Sequence, residues 1–387
     1  MTWADLTVIA PLAAAVGLAS LVIVVDLVRP GASRPPLAVA LLGLAGIAVL
    51  TWWTGMTPGT AFAGSYKVDD LATYIDLLFV FIVAVTLLVA PDYLRPRNLP
   101  TAEFAAILCF ALSGAMLVAG AADLIVLFLG LELMVIPGYL LAGFHRRDAL
   151  STEGAIKYFL LGSFSSAIFL FGLAYVWGLT GTTRIAGVAD AIAAAQGLSP
   201  ALALGVAFVT TGVAFKIAAV PFHYWTPDAY QGSPTPVTGY LSVGPKIGAF
   251  ALILRLFAEG LGPLADEWLI VIYVLAALTM TLGNLVALTQ DNVKRMLAYS
   301  SIAHAGYMLL GLIAVGGAAG DPLTQRYGMT AVVLYLLVYT FTNMDAFAVR
   351  LPGESMPRLL KTRRSFGPDP NWDSGASPAL KMVLLKI

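Results

Sequence analysis

Long apolar stretches joined by short polar connections dominate this chain. Eleven of these stretches hold about 20 residues each, which is enough to cross the ~30 Å hydrocarbon layer of a bilayer as a helix. The connections are short and rich in proline, glycine, aspartate and arginine, as at 29–31 and 91–97. The pattern predicts an all-α, polytopic transmembrane helix bundle with about eleven spanning helices. We place them near 6–28, 37–55, 71–90, 102–119, 122–143, 154–179, 201–221, 237–257, 268–289, 295–316 and 329–349.

The composition supports an integral membrane protein and excludes several other classes. Hydrophobic residues make up 59% and charged residues 11% of the chain, with a mean hydropathy of +0.86, whereas soluble domains carry about 25% charged residues. The zero net charge favours neither nucleic acid nor an acidic soluble partner. One cysteine, Cys109, excludes a disulfide framework and a cysteine-ligated cluster, and the separate His145, His223 and His304 form no helical metal pair. No glycine-rich phosphate loop is present. We expect no redox cofactor on this chain.

The basic residues predict an orientation in the membrane, since cytoplasmic connections are enriched in lysine and arginine. Four alternate connections carry two basic residues each: Arg29 and Arg34, Arg95 and Arg97, Arg146 and Arg147, and Lys294 and Arg295. The intervening connections carry one each: Lys67, Arg184, Arg255 and Arg326. This pattern places the N-terminus outside and, with eleven helices, the C-terminus in the cytoplasm. The first five residues lack a basic region, so the first apolar run is expected to be a spanning helix rather than a cleaved signal.

Three ionisable residues interrupt apolar stretches: Glu132, Lys216 and Lys246. A charged side chain at mid-membrane costs at least ~2.5–3.5 kcal/mol on insertion scales, so such residues usually serve a function. Either Glu132 or Lys216 alone would prefer its neutral form in hydrocarbon, whereas face to face they would stabilise each other's charges. This predicts a gated proton site, in which the lysine's affinity for protons depends on the carboxylate. The alternative is a buried salt bridge that only ties two helices together.

A proline lies close in sequence to each of the two lysines. Pro221 comes five residues after Lys216, and Pro245 directly precedes Lys246. Proline breaks a helix, and discontinuous helices occur at transporter binding sites. The alternative is that the first helix simply leaves the membrane at Pro221. His223 could pass protons between the two lysines, or it could be a loop histidine bonded to backbone.

Other polar residues fit simpler explanations. Glu153 and Lys157 have the i, i+4 spacing of a helix-surface ion pair, although Lys157 could also be a proton entry point. Asp26 and Asp76 are expected near helix ends, where capping or snorkelling explains them. His304 lies among small residues that pack helices closely, and it is either an interhelical hydrogen bonder or a proton relay.

Several of these segments together resemble the antiporter-like membrane subunits of respiratory complex I, the NADH-quinone oxidoreductase. The segments are ELMVIPGY at 132–139, KYFLLG at 157–162, FKIAAVPFHYWTPDAY at 215–230, PK at 245–246 and NVKRMLAYSSIAHAGY at 292–307. The likeness covers roughly residues 1–349 and is strongest to the subunit N branch, on FHRRD at 144–148 before STEGAIKYF at 151–159.

The resemblance implies fourteen spanning helices, including two inverted five-helix repeats that each contain a broken helix. It implies that Glu132 is the paired carboxylate, Lys216 the lysine of the first broken helix and Lys246 the central lysine. By the same likeness, Lys157 and His223 match polar positions of the water-filled axis. His304 matches a position that leads into the second half.

The likeness ends before the second repeat is complete, with Asp345 where the family has a small residue. We expect helices 1–3 at 1–101, a first repeat at 102–258 with its break near Pro221, and the start of a second repeat at 259–349. A polar, basic tail follows at 350–387, either disordered or the product of a truncated or frame-shifted gene.

The function implied by the resemblance is that of a proton-translocating subunit of a respiratory NADH-quinone oxidoreductase in a bacterial plasma membrane. Quinone reduction elsewhere in the complex would drive protonation changes along Lys157, Lys216 and Lys246. NADH, FMN, iron–sulfur clusters and quinone would belong to partner subunits. The expected partners are other membrane subunits of the complex and the lipid bilayer, not nucleic acid. Two alternatives remain: a subunit of a multi-subunit cation/proton antiporter, and a non-conducting structural subunit.

Overall fold

Helices account for most of the part of the chain that the structure, a computed structural model, describes: residues 2–195, 198–318 and 321–354. The α-helices are α1 (Trp3–Val8), α2 (Ala10–Val28), α3 (Arg34–Gly55), α4 (Asp70–Leu94), α5 (Thr101–Ala119), α6 (Leu124–Ala142), α7 (Ala149–Thr180), α8 (Ile185–Ala194), α9 (Pro200–Lys216), α10 (Trp225–Gly232), α11 (Thr235–Ile253), α12 (Ala265–Leu288), α13 (Val293–Gly317) and α14 (Pro322–Glu354). Strands β1 (Gly59–Ala61) and β2 (Tyr66–Val68) form a small antiparallel hairpin. Short 3-10 turns lie at Phe62–Gly64, Arg95–Arg97 and Gly262–Leu264, and a π-helical turn at Leu254–Gly260 extends α11.

The prediction of an all-α, multi-pass membrane protein is confirmed. A helix lies at each of the eleven predicted apolar stretches. Within the described residues, ten helices are long and apolar enough to cross a bilayer. The eleventh, α9, has 17 residues and ends at Lys216, five residues before the predicted end. Pro221 accounts for this early end, because in a continuous helix its ring would clash with the carbonyl of Ile217.

The break after α9 is locally satisfied rather than frayed. The amide of Ala219 donates to the carbonyl of Ala214 (2.8 Å) and that of Ala218 to Phe215 (3.0 Å), the two bonds of a Schellman motif. Ala218 takes the left-handed conformation that this motif requires, with φ of 60°. The amide of Val220 is bound by the Thr279 hydroxyl of α12 (2.9 Å). The irregular backbone after α9 is therefore held by protein partners, as is required wherever water cannot reach it.

Helix α11 is the centre of the bundle. Every residue from Thr235 to Ile253 is buried, and the helix packs against α4, α5, α6, α9, α13 and α14. Small residues bring neighbouring helices close: a Cβ built on Gly114 of α5 would lie 2.2 Å from the backbone nitrogen of Met134 in α6. Such close backbone approach is the usual way in which helices associate in membranes. The core helix that carries Lys246 is thus enclosed on all sides.

The structure corrects the expectation for Arg255, which the sequence placed in an outer connection. Arg255 lies in the π-helical turn after α11 and is 1% exposed. Its guanidinium donates to both carboxylate oxygens of Asp69 (2.6 and 2.7 Å), to Glu259 (2.7 Å) and to the carbonyl of Ala119. The sequence alone does not distinguish an arginine in a connecting loop from a buried arginine that binds carboxylates far away in the chain.

For Asp76 the expected position near a helix end was right, but the expected explanation was wrong. Asp76 lies in the second turn of α4 but is 5% exposed, and its Oδ1 atom has no hydrogen-bond partner within the described residues. Capping and snorkelling therefore do not explain it. Helix α14 continues to Glu354, beyond the predicted end at 349. The predicted basic tail lies, from residue 355 onward, outside the described residues.

Candidate functional site

A three-residue cluster joins α6, α7 and α9 at the point where α9 ends. Lys216 is the last residue of α9, and its Nζ lies 3.7 Å from Oε1 of Glu132 in the middle of α6. Between them stands Ser166 of α7: Lys216 donates to the Ser166 hydroxyl (2.7 Å), which donates to Glu132 Oε1 (2.5 Å). The lysine and glutamate side chains are 5% and 21% exposed. The structure thus brings together two of the sequence-predicted residues, through a third that the sequence analysis missed.

Ser166 suits this bridging place chemically. A hydroxyl group can accept one hydrogen bond while it donates another. It can therefore accept from an ammonium group and donate to a carboxylate. The only sequence signal was that Ser163, Ser165 and Ser166 stand close together in an apolar helix. Serines in membrane helices also bond their own backbone, so that signal does not identify a partner.

Lys246 lies in a second, separate cluster between α11, α13 and α14. It is 3% exposed, and its Nζ donates to the carbonyl and hydroxyl oxygens of Ser301, the latter at 2.6 Å. The Tyr339 hydroxyl lies 3.5 Å from Nζ and 2.6 Å from the Ser301 hydroxyl. Tyr230 approaches the same hydroxyl at 3.3 Å. Within the described ranges no carboxylate forms an ion pair with Lys246, so uncharged oxygens and a tyrosine ring (5.4 Å) hold the amine.

His304 joins the Lys246 cluster from the next turn of α13. Its Nδ1 lies 2.6 Å from the Tyr335 hydroxyl, and its ring centroid lies 5.2 Å from that of Tyr339. Ser301, which binds Lys246, precedes His304 by three residues and so lies on the same face of the helix. Of the two interpretations left open by the sequence, the geometry shows an interhelical hydrogen bond, and this bond lies next to the buried lysine.

Lys157 lies at the edge of the bundle. It forms the predicted i, i+4 ion pair with Glu153 (2.6 Å) and a second pair with Asp228 of α10 (2.7 Å), which also binds Arg295 (2.6 Å). Burial alone would raise the pKa of the Asp228 carboxyl, but hydrogen bonds from Lys157 and Arg295 and their positive charges hold it below its usual range. Asp228 therefore stays ionised and ties α7, α10 and α13 together.

His223 lies in the break between α9 and α10. It is 4% exposed and stacks on Tyr224 at 4.6 Å between ring centroids. Its Nδ1 has no hydrogen-bond partner in the described part of the chain, and no hydrogen bond there joins it to Lys216 or Lys246. The structure does not bring His223 into direct contact with either lysine.

Metal-ligating side chains do not gather anywhere in the residues that the structure describes: no three of the His, Cys, Asp and Glu side chains come together. Cys109 is free and buried in α5. The side chains of the two lysine clusters are amine, carboxyl, hydroxyl and imidazole groups, which can hold and exchange protons.

Comparisons with known proteins agree on one family. The family model described as the transmembrane part of NADH:quinone oxidoreductase and Mrp antiporter proteins matches residues 121–357, more than half of the chain. A protein of Moorella thermoacetica named NADH-quinone oxidoreductase subunit N is 45% identical over 337 residues, 87% of this chain and 68% of the relative. The chain spans about two thirds of the length of the curated relatives it matches.

Solved structures show the same likeness. A chain in the structure of respiratory complex I from Thermus thermophilus with bound aureothin is 28% identical, with a TM-score of 0.66, and the match covers 97% of this chain and 96% of that one. A chain of the Mrp complex from Dietzia is 23% identical with a TM-score of 0.71, covering 90% and 64%, which shows a shared fold alone.

Proposed function

This chain belongs to the NADH:quinone oxidoreductase/Mrp antiporter family of membrane subunits, and from that premise we propose that it translocates protons as subunit N of a respiratory NADH-quinone oxidoreductase. The complex would be an enzyme whose electron transfer takes place in other subunits. The observation that carries the proposal is the pair of buried lysine clusters, one with a carboxylate and one without, held by hydroxyl groups inside an apolar bundle.

The Glu132–Ser166–Lys216 cluster is the gated proton site of this proposal. With all three groups in place, the carboxylate favours the protonated amine of Lys216. If Glu132 moves away or is neutralised, the buried ammonium loses its counter-charge and releases its proton. A conformational change driven by quinone reduction in a partner subunit would alternate these two states. The transfer breaks and forms only N–H and O–H bonds.

The Lys246 cluster is the next proton-binding site on the proposed path. Its amine lies among neutral oxygens, so a proton that arrives there is held weakly and passes on readily. Ser301, Tyr339, Tyr335 and His304 form a chain of hydrogen bonds and ring contacts that leads away from Lys246 toward the face between α13 and α14. We assign His304 to the path as its relay on that side.

Lys157 and His223 complete the proposed path. Lys157 lies near the start of α7 with its side chain 43% exposed, and its ion pair with Asp228 joins it to α10, the helix that follows the break after Lys216. We propose that it collects protons from the surface. His223, buried beside the same break, offers an Nδ1 with no partner among the described residues for transfer between the two lysine clusters.

The architecture and setting are also part of the proposal. Residues 102–258 would form the first inverted repeat, with its broken helix at α9 and α10, and residues 259–349 the beginning of the second. Other membrane subunits of the complex would be the partners, and these and soluble subunits would hold NADH, FMN, iron–sulfur clusters and quinone. The membrane would be the bacterial plasma membrane, with the N-terminus outside.

Replacement of Lys216 by alanine tests the central role. In inverted membrane vesicles that contain the assembled complex, Lys216→Ala should abolish most NADH-driven proton uptake while electron transfer from NADH to soluble acceptors continues. Arg29→Ala serves as the control, because Arg29 is an exposed cationic residue at the end of α2, outside the proposed proton path. Undiminished pumping in the Lys216 variant would refute the role.

A cation/proton antiporter subunit is the second candidate, favoured by the fold shared with the Mrp complex. The two functions differ in their energy source. Proton movement that follows NADH oxidation and stops with a quinone-site inhibitor supports the respiratory complex, whereas proton movement driven by a cation gradient without NADH supports the antiporter. Lys246→Met separates both from a structural subunit, since a scaffold would assemble and work unchanged.

A further inference from the structure

Asp76 of α4 takes no part in the proton path proposed above, yet it is among the most deeply enclosed carboxyl groups of the described residues. Its side chain is 5% exposed, and Oδ1 is buried without a hydrogen-bond partner in the described part of the chain. A buried polar atom with no partner is unfavourable and is uncommon without a functional reason. A carboxyl group in this condition is suited to hold a proton.

The face of α4 that carries Asp76 is turned toward α11. Asp69, the N-cap of α4, precedes Asp76 by seven residues, which is two helical turns, or about 10 Å, on the same face. Asp69 binds Arg255 at the end of α11. One turn beyond Asp76, Phe79 contacts Tyr240 of α11 at 6.2 Å between ring centroids. Asp76 therefore lies at the α4–α11 interface, between these two contacts.

A network of charges connects this interface with the protein surface. Arg255 is 1% exposed, while its partners Asp69 and Glu259 are 35% and 33% exposed. Lys67 of the hairpin joins both carboxylates, at 3.4 Å and 2.8 Å. Arg255 and Asp69 are also the charged groups near enough to act on Asp76. The network thus reaches from open surface to within interaction distance of the buried carboxyl.

Asp76 and Lys246 lie at comparable distances from the contact between Asp69 and Arg255, measured along their helices. Lys246 precedes Arg255 by nine residues on α11 and its π-helical extension, or about 13 Å along the axis, while Asp76 lies about 10 Å inward from Asp69. The helices run antiparallel, since Arg255 meets the start of α4 and Tyr240 meets its middle. Asp76 and Lys246 therefore lie at similar depths, with Asp76 on the α4 side of α11 and the Lys246 amine on the side of α13 and α14.

Two buried phenols lie near this position in the described part of the chain. Tyr66 of the hairpin is close enough to interact electrostatically with Asp76, and Tyr240 of α11 contacts Phe79, one turn along α4 from Asp76. The ends of α3 and α5 that lie near the start of α4 are marked by two contacts, Gly55 with Thr73 and Ala119 with Arg255. The charged residues of these two helices, Arg34 and Glu103, lie at their opposite ends and so are remote from Asp76. The α14 helix contributes a backbone carbonyl, that of Val333, to Tyr74 of α4.

We propose that Asp76 is a proton-holding site that links the Lys246 cluster to the membrane surface through the network of Lys67, Asp69, Arg255 and Glu259. The inference rests on the proposed role of Lys246. In one cycle, the Lys246 ammonium gives up a proton, the Asp76 carboxylate takes it and becomes a carboxylic acid, and this acid releases the proton to water at the surface beside the network. Only O–H and N–H bonds break and form. The cycle closes when Lys246 is protonated again from the Lys216 cluster.

Asp76→Asn tests this site in the assembled complex in inverted membrane vesicles. Asparagine keeps the size of the side chain but cannot hold the proton. We expect the number of protons pumped per NADH oxidised to fall several-fold, with electron transfer to soluble acceptors unchanged and with pumping restored by Asp76→Glu. Asp26→Asn is the matched control, since Asp26 is a partly exposed carboxylate near the end of α2, and it should pump as the unchanged protein does.

Infrared difference spectroscopy gives a second measurement that does not depend on pumping. The unchanged complex should show the C=O stretching band of a protonated carboxylic acid that is absent from Asp76→Asn. A normal pumping ratio in Asp76→Asn, together with a lost ratio in Lys246→Met, overturns the inference and leaves the proposed function in place. Normal pumping in both variants overturns the proposed function as well. An infrared band that is unchanged in Asp76→Asn also overturns the inference.

Discussion

Ser166→Ala is the most direct test of how the first lysine cluster works. The hydroxyl accepts one hydrogen bond from the Lys216 ammonium (2.7 Å) and donates one to Glu132 (2.5 Å). Hydrogen bonds to charged groups contribute about 1.5–3 kcal/mol each. The direct separation of 3.7 Å would have to shorten to roughly 2.8 Å to form a charge-assisted hydrogen bond, so a small movement can recover one of the two. The net loss is therefore about 1.5–3 kcal/mol.

This loss predicts a proton-transfer step that is slower by roughly 10- to 100-fold, since 1.4 kcal/mol corresponds to a factor of ten. The assay is fluorescence quenching of a pH-sensitive dye during NADH oxidation in inverted vesicles, with electron transfer to a soluble acceptor measured in parallel. Ser165→Ala is a closely matched control, because Ser165 is the neighbouring buried serine but donates to the carbonyl of Gly212 (3.2 Å). Equal pumping by the two alanine variants would refute the bridging role of Ser166.

The remaining predictions concern stability and can be measured on the detergent-solubilised protein. Arg255→Met should destabilise the fold by about 3 kcal/mol and lower the thermal midpoint of unfolding. The reason is that the carboxylates of Asp69 and Glu259 would lose the buried cation between them. An unchanged midpoint would contradict this. Burial alone would raise the pKa of the Asp69 carboxyl, but Arg255 lowers it to about 2. Its stabilising contribution should be complete above about pH 4 and be lost as the pH falls toward 2, so that the difference in thermal midpoint from Asp69→Asn disappears over that range. Gly114→Ala should destabilise the fold by about 1–3 kcal/mol, because the new methyl group would clash with the backbone of α6, although alanine normally favours a helix. Gly17→Ala is the control and should not destabilise the fold, because no atom lies within 4 Å of the new methyl group.

Much of the fold followed from the sequence because the membrane imposes a simple rule. Each apolar stretch of about 20 residues must satisfy its backbone internally, so helix positions can be read directly from the chain. The charges within these stretches, at 132, 216 and 246, were equally visible. The pairing of Glu132 with Lys216 was also an expectation of the sequence, since two isolated opposite charges in hydrocarbon have every reason to meet.

Hydroxyl groups and buried charges near helix ends were less predictable. Ser166, Ser301 and Tyr339 look like ordinary residues of membrane helices, because their sequence neighbours do not reveal which distant helix they face. Arg255 and Asp76 were assigned to loops or helix ends for the same reason.

What the sequence by itself determined is therefore the class, the membrane-spanning helices, the family likeness and the residues able to exchange protons. What only the tertiary structure decided is how these residues are grouped. It separated the lysines into two clusters, ended α9 at Lys216 with a satisfied backbone turn, and placed Asp76 against α11. The physical reason is that hydropathy is a local property of the chain, whereas a hydrogen bond across helices depends on contacts between residues far apart in sequence.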